Sequence, residues 1–171
     1  LAALALLAAV QDTGEQFYKF GVGTTWTLLH KEADGESTIE LKVLKAEGGK
    51  VHVDSKEKKA DGSSADESLV WWIEDGAMVW GMAKDGEVKA GMRWYRVGST
   101  QGDVWDLLPG ADGPKGPKAT HMGTADVEVP AGKYKETVHV KVEARGMLMH
   151  VYWAAGVGMV KMTTEVDGTV Q

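Results

Sequence analysis

The side chains best suited to chemistry in this sequence are its histidines, because the chain contains no cysteine. The five are His30, His52, His121, His139 and His150. On a hairpin predicted around Arg145-Gly146, His139 and His150 fall on one face as diagonal neighbours. With a third ligand they could hold zinc or copper, and the alternative is a solvated pair beside Lys141. We keep them as candidates only and predict no metal site and no cofactor.

Motifs of known catalytic machinery are absent from the sequence. It has no G-x-S-x-G elbow, no G-x-x-x-x-G-K-[ST] phosphate loop, no H-E-x-x-H zinc motif and no calcium-binding loop. Carboxylates cluster at Glu74-Asp75 and at Asp85 with Glu87, where hairpin turns account for them. No catalytic residue is therefore predicted, and a noncatalytic role is favoured over an enzyme.

Seven tryptophans give the chain a second kind of chemistry, because the indole ring is large and flat and carries one hydrogen-bond donor. Such rings line apolar cavities, stack against sugars or fill the core of a sheet, and all three uses remain open. The tryptophans concerned are Trp71, Trp72, Trp80, Trp94, Trp105 and Trp153.

Turn signals divide the chain into short β-branched and aromatic runs. Asp-Gly and Gly-Gly pairs favour the positive φ angles of hairpin turns, and the runs between them have strand length. They predict an all-β fold with at most a minor helix or lid, built as a curved antiparallel meander that forms an open or partly closed barrel. The predicted strands cover 24–31, 38–47, 50–58, 67–74, 77–84, 87–97, 120–129, 135–144, 147–154 and 157–166.

The best-specified hairpin folds about Arg145-Gly146. One of its faces is apolar and the other polar, which is typical of a sheet with one buried side. The apolar face pairs Val142 with Met149, Val140 with Val151 and Val138 with Trp153.

The hairpin about Asp75-Gly76 is instead apolar on both faces. One face is predicted to carry Trp71, Ile73, Met78, Trp80, Met82, Arg93 and Tyr95. The other is predicted to carry Val70, Trp72, Val79, Val88, Met92 and Trp94. Large exposed apolar patches are unusual in monomers, so one face is expected to form the core and the other to be covered or to bind a ligand. The long segment 98–119, which contains Trp105, is a candidate cover; its alternative is a surface loop with one tucked tryptophan.

Residues 1–10 read LAALALLAAV and predict a targeting segment. Ten apolar residues are too few to cross a bilayer as a helix, which needs about 20, and they match the apolar region of a secretory signal peptide. The alternative is an amphipathic or core helix within the domain. The interpretation places cleavage near Val10 or Gln11. It predicts an exported protein, periplasmic or extracellular, without a transmembrane segment.

Composition limits the remaining possibilities. The chain has 171 residues and a net charge of −6, which predicts a single β domain over 11–171 and argues against nucleic acid as a partner. Hydrophobic and charged contents of 43% and 26% are ordinary for a globular chain rather than a disordered one.

Three segments resemble a family of exported bacterial proteins of unknown function. They are FGVGTTWTL at 20–28, VPAGKYKETVHVKVE at 129–143 and YWAAGVGMVKM at 152–162. The last two are similar to that family's VPAG and YW-x-A-x-GVG-x-VK motifs, although Ala154 and Ala155 replace its usual aromatic and proline. The resemblance implies a fold like that of the LolA and LolB lipoprotein carriers, and it supplies no catalytic residues. Independently of the family, Gly156 and Gly158 are expected to allow a bulge or a close contact beneath an aromatic ring.

These observations predict a noncatalytic binding module that holds an apolar or lipid-like ligand, or a partner segment, on a concave aromatic face. The alternatives are a structural or protein-interaction domain of the cell envelope, a carbohydrate-binding protein and an uncharacterised enzyme. The predicted ligand-binding residues are Trp71, Ile73, Met78, Trp80, Met82, Tyr95 and Trp105.

Overall fold

The fold is known from a computed structural model, which describes residues 14–32, 35–59, 61–84, 87–89, 91–110, 116–144, 146–166 and 169–170. The predicted signal-peptide segment 1–10 and its cleavage site near Val10 lie outside the described residues. So do parts of several predicted turns, such as Asp85-Gly86.

Two antiparallel sheets, formed one after the other along the chain, make up the protein. The strands of the first sheet are β1 Thr25–Glu32, β2 Gly35–Glu47, β3 Lys50–Lys58, β4 Ser64–Glu74, β5 Ala77–Lys84, β6 Glu87–Val88 and β7 Met92–Arg96. Those of the second are β8 Val104–Asp106, β9 Lys118–Val129, β10 Gly132–Ala144, β11 Met147–Ala154, β12 Gly158–Val166 and β13 Thr169–Val170. Successive strands are neighbours except that β6 and β7 both pair with β5. The prediction of an antiparallel all-β meander is confirmed, and over the described residues the sheets do not close into a barrel.

The hairpin formed by β10 and β11 has the register predicted from its turn. Val142 pairs with Met149, and Val138 pairs with Trp153. The same agreement holds in the β4–β5 hairpin, where Trp71 pairs with Trp80. In both cases the two-residue turn determines the register of the hairpin. Because side chains alternate between the two faces, the register determines which residues are buried.

The predicted strand 87–97 is wrong as a single element, because it is divided into β6 and β7. Gly91 lies between them and presses against β5. A Cβ atom at this position would overlap the backbone carbonyl of Trp80. Only a residue without a side chain lets the chain pass so close to its neighbouring strand.

A bulge in the β5–β7 pairing changes the faces of β7. The register steps from Met78 with Tyr95 to Val79 with Arg93, which leaves Trp94 as the extra residue. Trp94 and Tyr95 are both buried in the core, whereas Arg93 lies on the opposite side of the sheet with Val79. The faces predicted for Arg93 and Trp94 are wrong, because the pairing with β5 steps by one residue between Ala83–Val88 and Trp80–Met92, and the bulge then returns Tyr95 to its predicted face.

The segment 98–119 joins the two sheets. It contains the edge strand β8, whose Trp105 is buried in the core. Just beyond β8, the carbonyl of Leu107 accepts a hydrogen bond of 2.8 Å from the backbone N–H of Arg93 in β7. The described part of this segment thus links the sheets, where the sequence left open a cover or a surface loop.

One hydrophobic core is shared by the two sheets, and the face of each sheet that carries it is called the inner face. Its fully buried members include Met78 and Val53 from the first sheet and Val140, Val151 and Trp153 from the second. The short 3₁₀ turn Glu15–Phe17 and the residues after it also pack against this core.

Candidate functional site

The predicted ligand-binding residues lie on the inner face but differ in exposure. Four of them, Trp71, Met78, Tyr95 and Trp105, are buried members of the core. Ile73 and Trp80 are partly buried against them. Met82 pairs with Leu69 on the same face and is 52% exposed. The structure therefore brings these residues together around a packed aromatic centre, with Met82 at its margin.

Trp80 lies at the middle of an aromatic cluster formed by Trp71, Trp80, Trp94 and Trp153. Its ring stacks on Trp71 with 4.9 Å between centroids and an interplanar angle of 10°. It meets Trp94 at 5.8 Å and Trp153 at 5.6 Å, both edge to face. Because Trp153 belongs to the second sheet, the contact of Trp80 with Trp153 joins the two inner faces.

The indole N–H groups of this cluster are buried without an acceptor. None of the four has a hydrogen-bond partner in the described part of the protein. Trp105 differs, because its Nε1 donates to the carbonyl oxygen of Arg93 at 2.6 Å. A buried donor left unpaired costs about 1–3 kcal/mol, so four in one cluster is an expensive arrangement.

Methionines surround this cluster on the inner face. Met92 pairs with Trp80 and Met162 pairs with Val151, so both point to the inner side, yet they are 37% and 43% exposed. Met149 and Met159 pack partly buried against the core. The sequence prediction placed Met92 on the other face, which is wrong for the same reason as Trp94. Methionine side chains are flexible and polarizable and adapt to differently shaped apolar partners.

The residues after the 3₁₀ turn pack against one margin of the cluster. The ring of Phe20 lies 5.1 Å from that of Trp26 and 6.3 Å from that of Trp71. Gly158 lies beneath Phe20, where a Cβ atom would come within 3.1 Å of the ring. The expectation of a close contact beneath an aromatic ring in the GVG segment is confirmed at Gly158, whereas the bulge of this strand lies beyond that segment, at Val160.

The other face of the first sheet, here called the outer face, is covered by the chain itself around Val70 and Val79. Val70 and Val79 are fully buried there, although they lie outside the shared core. Gly91 contacts Val79 from above, and the half-buried ring of Trp72 lies across Gly81. Beside Trp72 the cover leaves a groove of about 460 Å³.

The two candidate metal ligands bond to each other instead. His139 Nε2 and His150 Nδ1 are 2.8 Å apart, and the His139 ring stacks on Tyr152 at 4.5 Å. Burial and then the neighbouring His150 lower the pKa of His139 below its usual value. Among the described residues, no group of three histidine, cysteine, aspartate or glutamate side chains is arranged to hold a metal.

The predicted ligand-binding set omits Met162, Trp94 and Trp153, although the two tryptophans were among the rings that could line a cavity. The apolar face predicted for the last hairpin already contained Trp153, but only the packing of one sheet on the other brings it to Trp80. Met162 follows from the alternation of β12 once its bulge is known, and the bulge has no signal of its own in the residue types.

Comparisons with known proteins found no matching protein family, no similar curated protein and no similar solved structure. Within the described residues, no helix has the length and apolar character needed to span a membrane.

Proposed function

We propose that this protein is a noncatalytic binding module that holds an amphiphilic, lipid-like ligand on its inner aromatic face around Trp80. The observation that carries this proposal is the set of four buried indole N–H groups without an acceptor. Natural proteins leave few buried donors unpaired, and exceptions call for an explanation.

The chemistry of the cluster defines the ligand class. Indole nitrogens only donate hydrogen bonds, so the complementary group is an acceptor such as a carboxyl, ester or amide oxygen. The rest of the lining is aromatic and aliphatic, which fits an acyl chain or another apolar body. A ligand that combines the two satisfies the donors and buries its own apolar surface in one step.

The exposed methionines indicate how such a ligand reaches the cluster. Met82, Met92 and Met162 are inner-face residues that remain exposed at the margins of the core. Flexible thioether side chains repack at low cost, so the two inner faces can separate around a ligand without losing apolar contact. We place the entry route along these methionines.

The proposed location follows from the amino-terminal segment. A signal peptide over 1–10 would export the domain 11–171 to the periplasm or the extracellular space. The resemblance of the VPAG and GVG segments to a family of exported bacterial proteins favours the same location.

The first test asks whether the protein carries a ligand when it is made in an exporting host. The purified protein is extracted with organic solvent and the extract is analysed by mass spectrometry. We expect an amphiphile in stoichiometric amount. An empty extract, together with no saturable quenching of tryptophan fluorescence by dibromostearic acid, would overturn the proposal and favour an envelope interaction domain.

The second test uses Trp80→Phe, which keeps an aromatic ring and removes the central N–H. We expect dibromostearic acid to bind roughly ten- to hundredfold more weakly, the loss of about one hydrogen bond to an ionised group. The matched control is Trp72→Phe on the outer face, which should leave the affinity unchanged. Thermal unfolding of both variants verifies that each is folded.

A further inference from the structure

The groove on the outer face lies on the other side of the first sheet from the aromatic cluster, although strands β4 and β7 contribute residues to both. Lys50 from β3, Trp72 and Glu74 from β4, Lys89 and Arg93 from β7 and the turn before it line its walls. Its volume of about 460 Å³ lies within the usual range of small-molecule sites, about 300–1,000 Å³.

Two glycines fix the aromatic wall of the groove. The indole ring of Trp72 lies against Gly81, where a Cβ atom would come within 2.9 Å of it. The same atom would lie 2.8 Å from the carbonyl oxygen of Lys89, so Gly81 also seats the chain that forms the next wall. The Trp72 ring thus packs against the backbone at Gly81. It also makes a cation–π contact, since Lys50 Nζ lies 5.4 Å from its centroid.

The groove has an excess of positive charge, whereas the whole chain is negatively charged. The protein carries a net charge of −6, yet this groove has three cations and one carboxylate in its lining. No carboxylate among the described residues pairs with Lys50 or Lys89, and Glu74 has no cationic partner there either. Arg93 is bonded to Asp75 at 2.9 Å, a partner that is 77% exposed.

Arg93 is held in place by its own backbone. Its N–H donates to the carbonyl of Leu107 at 2.8 Å, and its carbonyl accepts the indole N–H of Trp105 at 2.6 Å. A charged side chain on an anchored backbone loses less freedom on binding than one on a mobile loop.

We infer that this groove is a binding site for an acidic sugar, of the carboxylate-bearing uronic acid type. The flat apolar face of a sugar ring stacks on Trp72 in place of the Lys50 ammonium group. The sugar carboxylate then meets Lys50 and Lys89, and Glu74 accepts hydrogen bonds from sugar hydroxyls.

The mixture of charges distinguishes this class from simpler anions. A phosphate or sulfate ion would use the cations but leave the aromatic wall and Glu74 without a role. A neutral sugar would use Trp72 and Glu74 but leave two unpaired lysines beside it. A ligand with one carboxylate and several hydroxyls on each ring uses the Trp72 ring, the two lysines and Glu74 together.

The test is titration calorimetry with trigalacturonic acid at low ionic strength, with a neutral galactose oligomer of equal length and inorganic sulfate as comparison ligands. We expect the acidic trimer to bind more tightly than either, and its affinity to fall as salt is added. Equal binding of the neutral oligomer, or of sulfate alone, would overturn the inference.

Variants locate the binding in the groove. Lys50→Gln and Lys89→Gln should each weaken trigalacturonic acid roughly two- to fivefold, as expected for exposed charge pairs. Trp72→Leu keeps an apolar side chain over Val79 but removes the stacking ring, and it should weaken the binding of trigalacturonic acid roughly tenfold. The matched control is Lys135→Gln, an exposed lysine of the second sheet.

An equal loss in Lys135→Gln would mean that only general charge attraction is at work, and no loss in Trp72→Leu would remove the stacking wall. Either result overturns the inference. Because Trp72 lies on the outer face, Trp72→Leu should leave the binding of dibromostearic acid unaltered, so this site and the inner one can fail independently.

Discussion

Trp71 and Trp72 are consecutive residues of one strand, and they belong to two different environments. Trp71 is 2% exposed, stacks on Trp80 and has a buried N–H without an acceptor. Trp72 is half-buried on the opposite side, with Gly81 beneath its ring and the Lys50 ammonium group 5.4 Å from its centroid. The same residue type therefore has two roles. At Trp71 it belongs to an apolar interior that contains unpaired hydrogen-bond donors, and at Trp72 it forms a wall of a charged groove. What decides its role is the neighbours that the sheet supplies.

The comparison predicts unequal costs of removing the two rings. Trp71→Ala should lower the free energy of unfolding by about 4 kcal/mol, because it opens a cavity in the packed centre of the core. Trp72→Ala should lower it by about 1–2 kcal/mol, since the ring is half in solvent and buries less apolar surface. Urea denaturation of the two variants measures both values. Equal costs would mean that Trp72 is a core residue and that the two faces do not differ as described.

A substitution at Gly81 tests whether the Trp72 ring is held against the backbone on the outer face. Gly81→Ala should lower the free energy of unfolding by about 2 kcal/mol, because the added methyl group meets both the Trp72 ring and the Lys89 carbonyl. Gly21→Ala is the control, as the nearest atom to a Cβ there is 3.9 Å away. If both variants unfold at the same urea concentration, the ring is not seated on Gly81.

The inner face can be tested through the two kinds of indole N–H that it contains. Trp105→Phe removes a hydrogen bond to the Arg93 carbonyl, whereas Trp153→Phe removes a donor that has no partner among the described residues. We expect Trp105→Phe to be more destabilising by about 1 kcal/mol, the usual net value of one hydrogen bond. Denaturation in the absence of lipid supplies the measurement, and the reverse order would show that the Trp153 N–H is satisfied.

A smaller effect is expected at the histidine pair on the outside of the second sheet. The pKa of His139 is lowered by burial and by His150, so the unfolded chain binds more protons than the folded one as the pH falls below about 6.5. Stability should therefore be fully present above that value and decrease as the pH falls through the lowered pKa. His139→Gln should reduce this decrease in melting temperature between about pH 7 and about pH 5. An unchanged slope would assign the effect to other groups.

Much of the architecture follows from the sequence, because the turns in this chain are short and explicit. Asp75-Gly76 alone determines that Trp71 meets Trp80, and it thereby predicts the two-faced centre of the first sheet. The division between β6 and β7 and the bulge at Trp94 could not be predicted in the same way. They depend on how closely Gly91 passes β5 and on an extra residue that no side-chain type announces.

The candidate site was predictable in kind but not in detail. Alternation on either side of the Asp75-Gly76 turn is enough to place Trp71, Met78 and Trp80 on one face. Whether an indole N–H finds an acceptor depends on atoms from distant strands, as the different outcomes at Trp105 and Trp153 show. The signal-peptide interpretation of 1–10 and the resemblance to lipoprotein carriers remain predictions.

The order of the strands has a consequence for how the molecule can be divided. Apart from β5 with β7, every paired strand is the neighbour of its partner along the chain, and the connection between the sheets runs through the exposed turn around Gly98 and Gly102. A cut in that turn yields two fragments, each with the complete set of strands of one sheet. Their reassociation re-forms the shared core, including the contact of Trp80 with Trp153 and the Arg93–Leu107 hydrogen bond. The dissociation constant of the two fragments would then measure how strongly the shared core holds the sheets together. A lipid that contacts both inner faces would lower that dissociation constant.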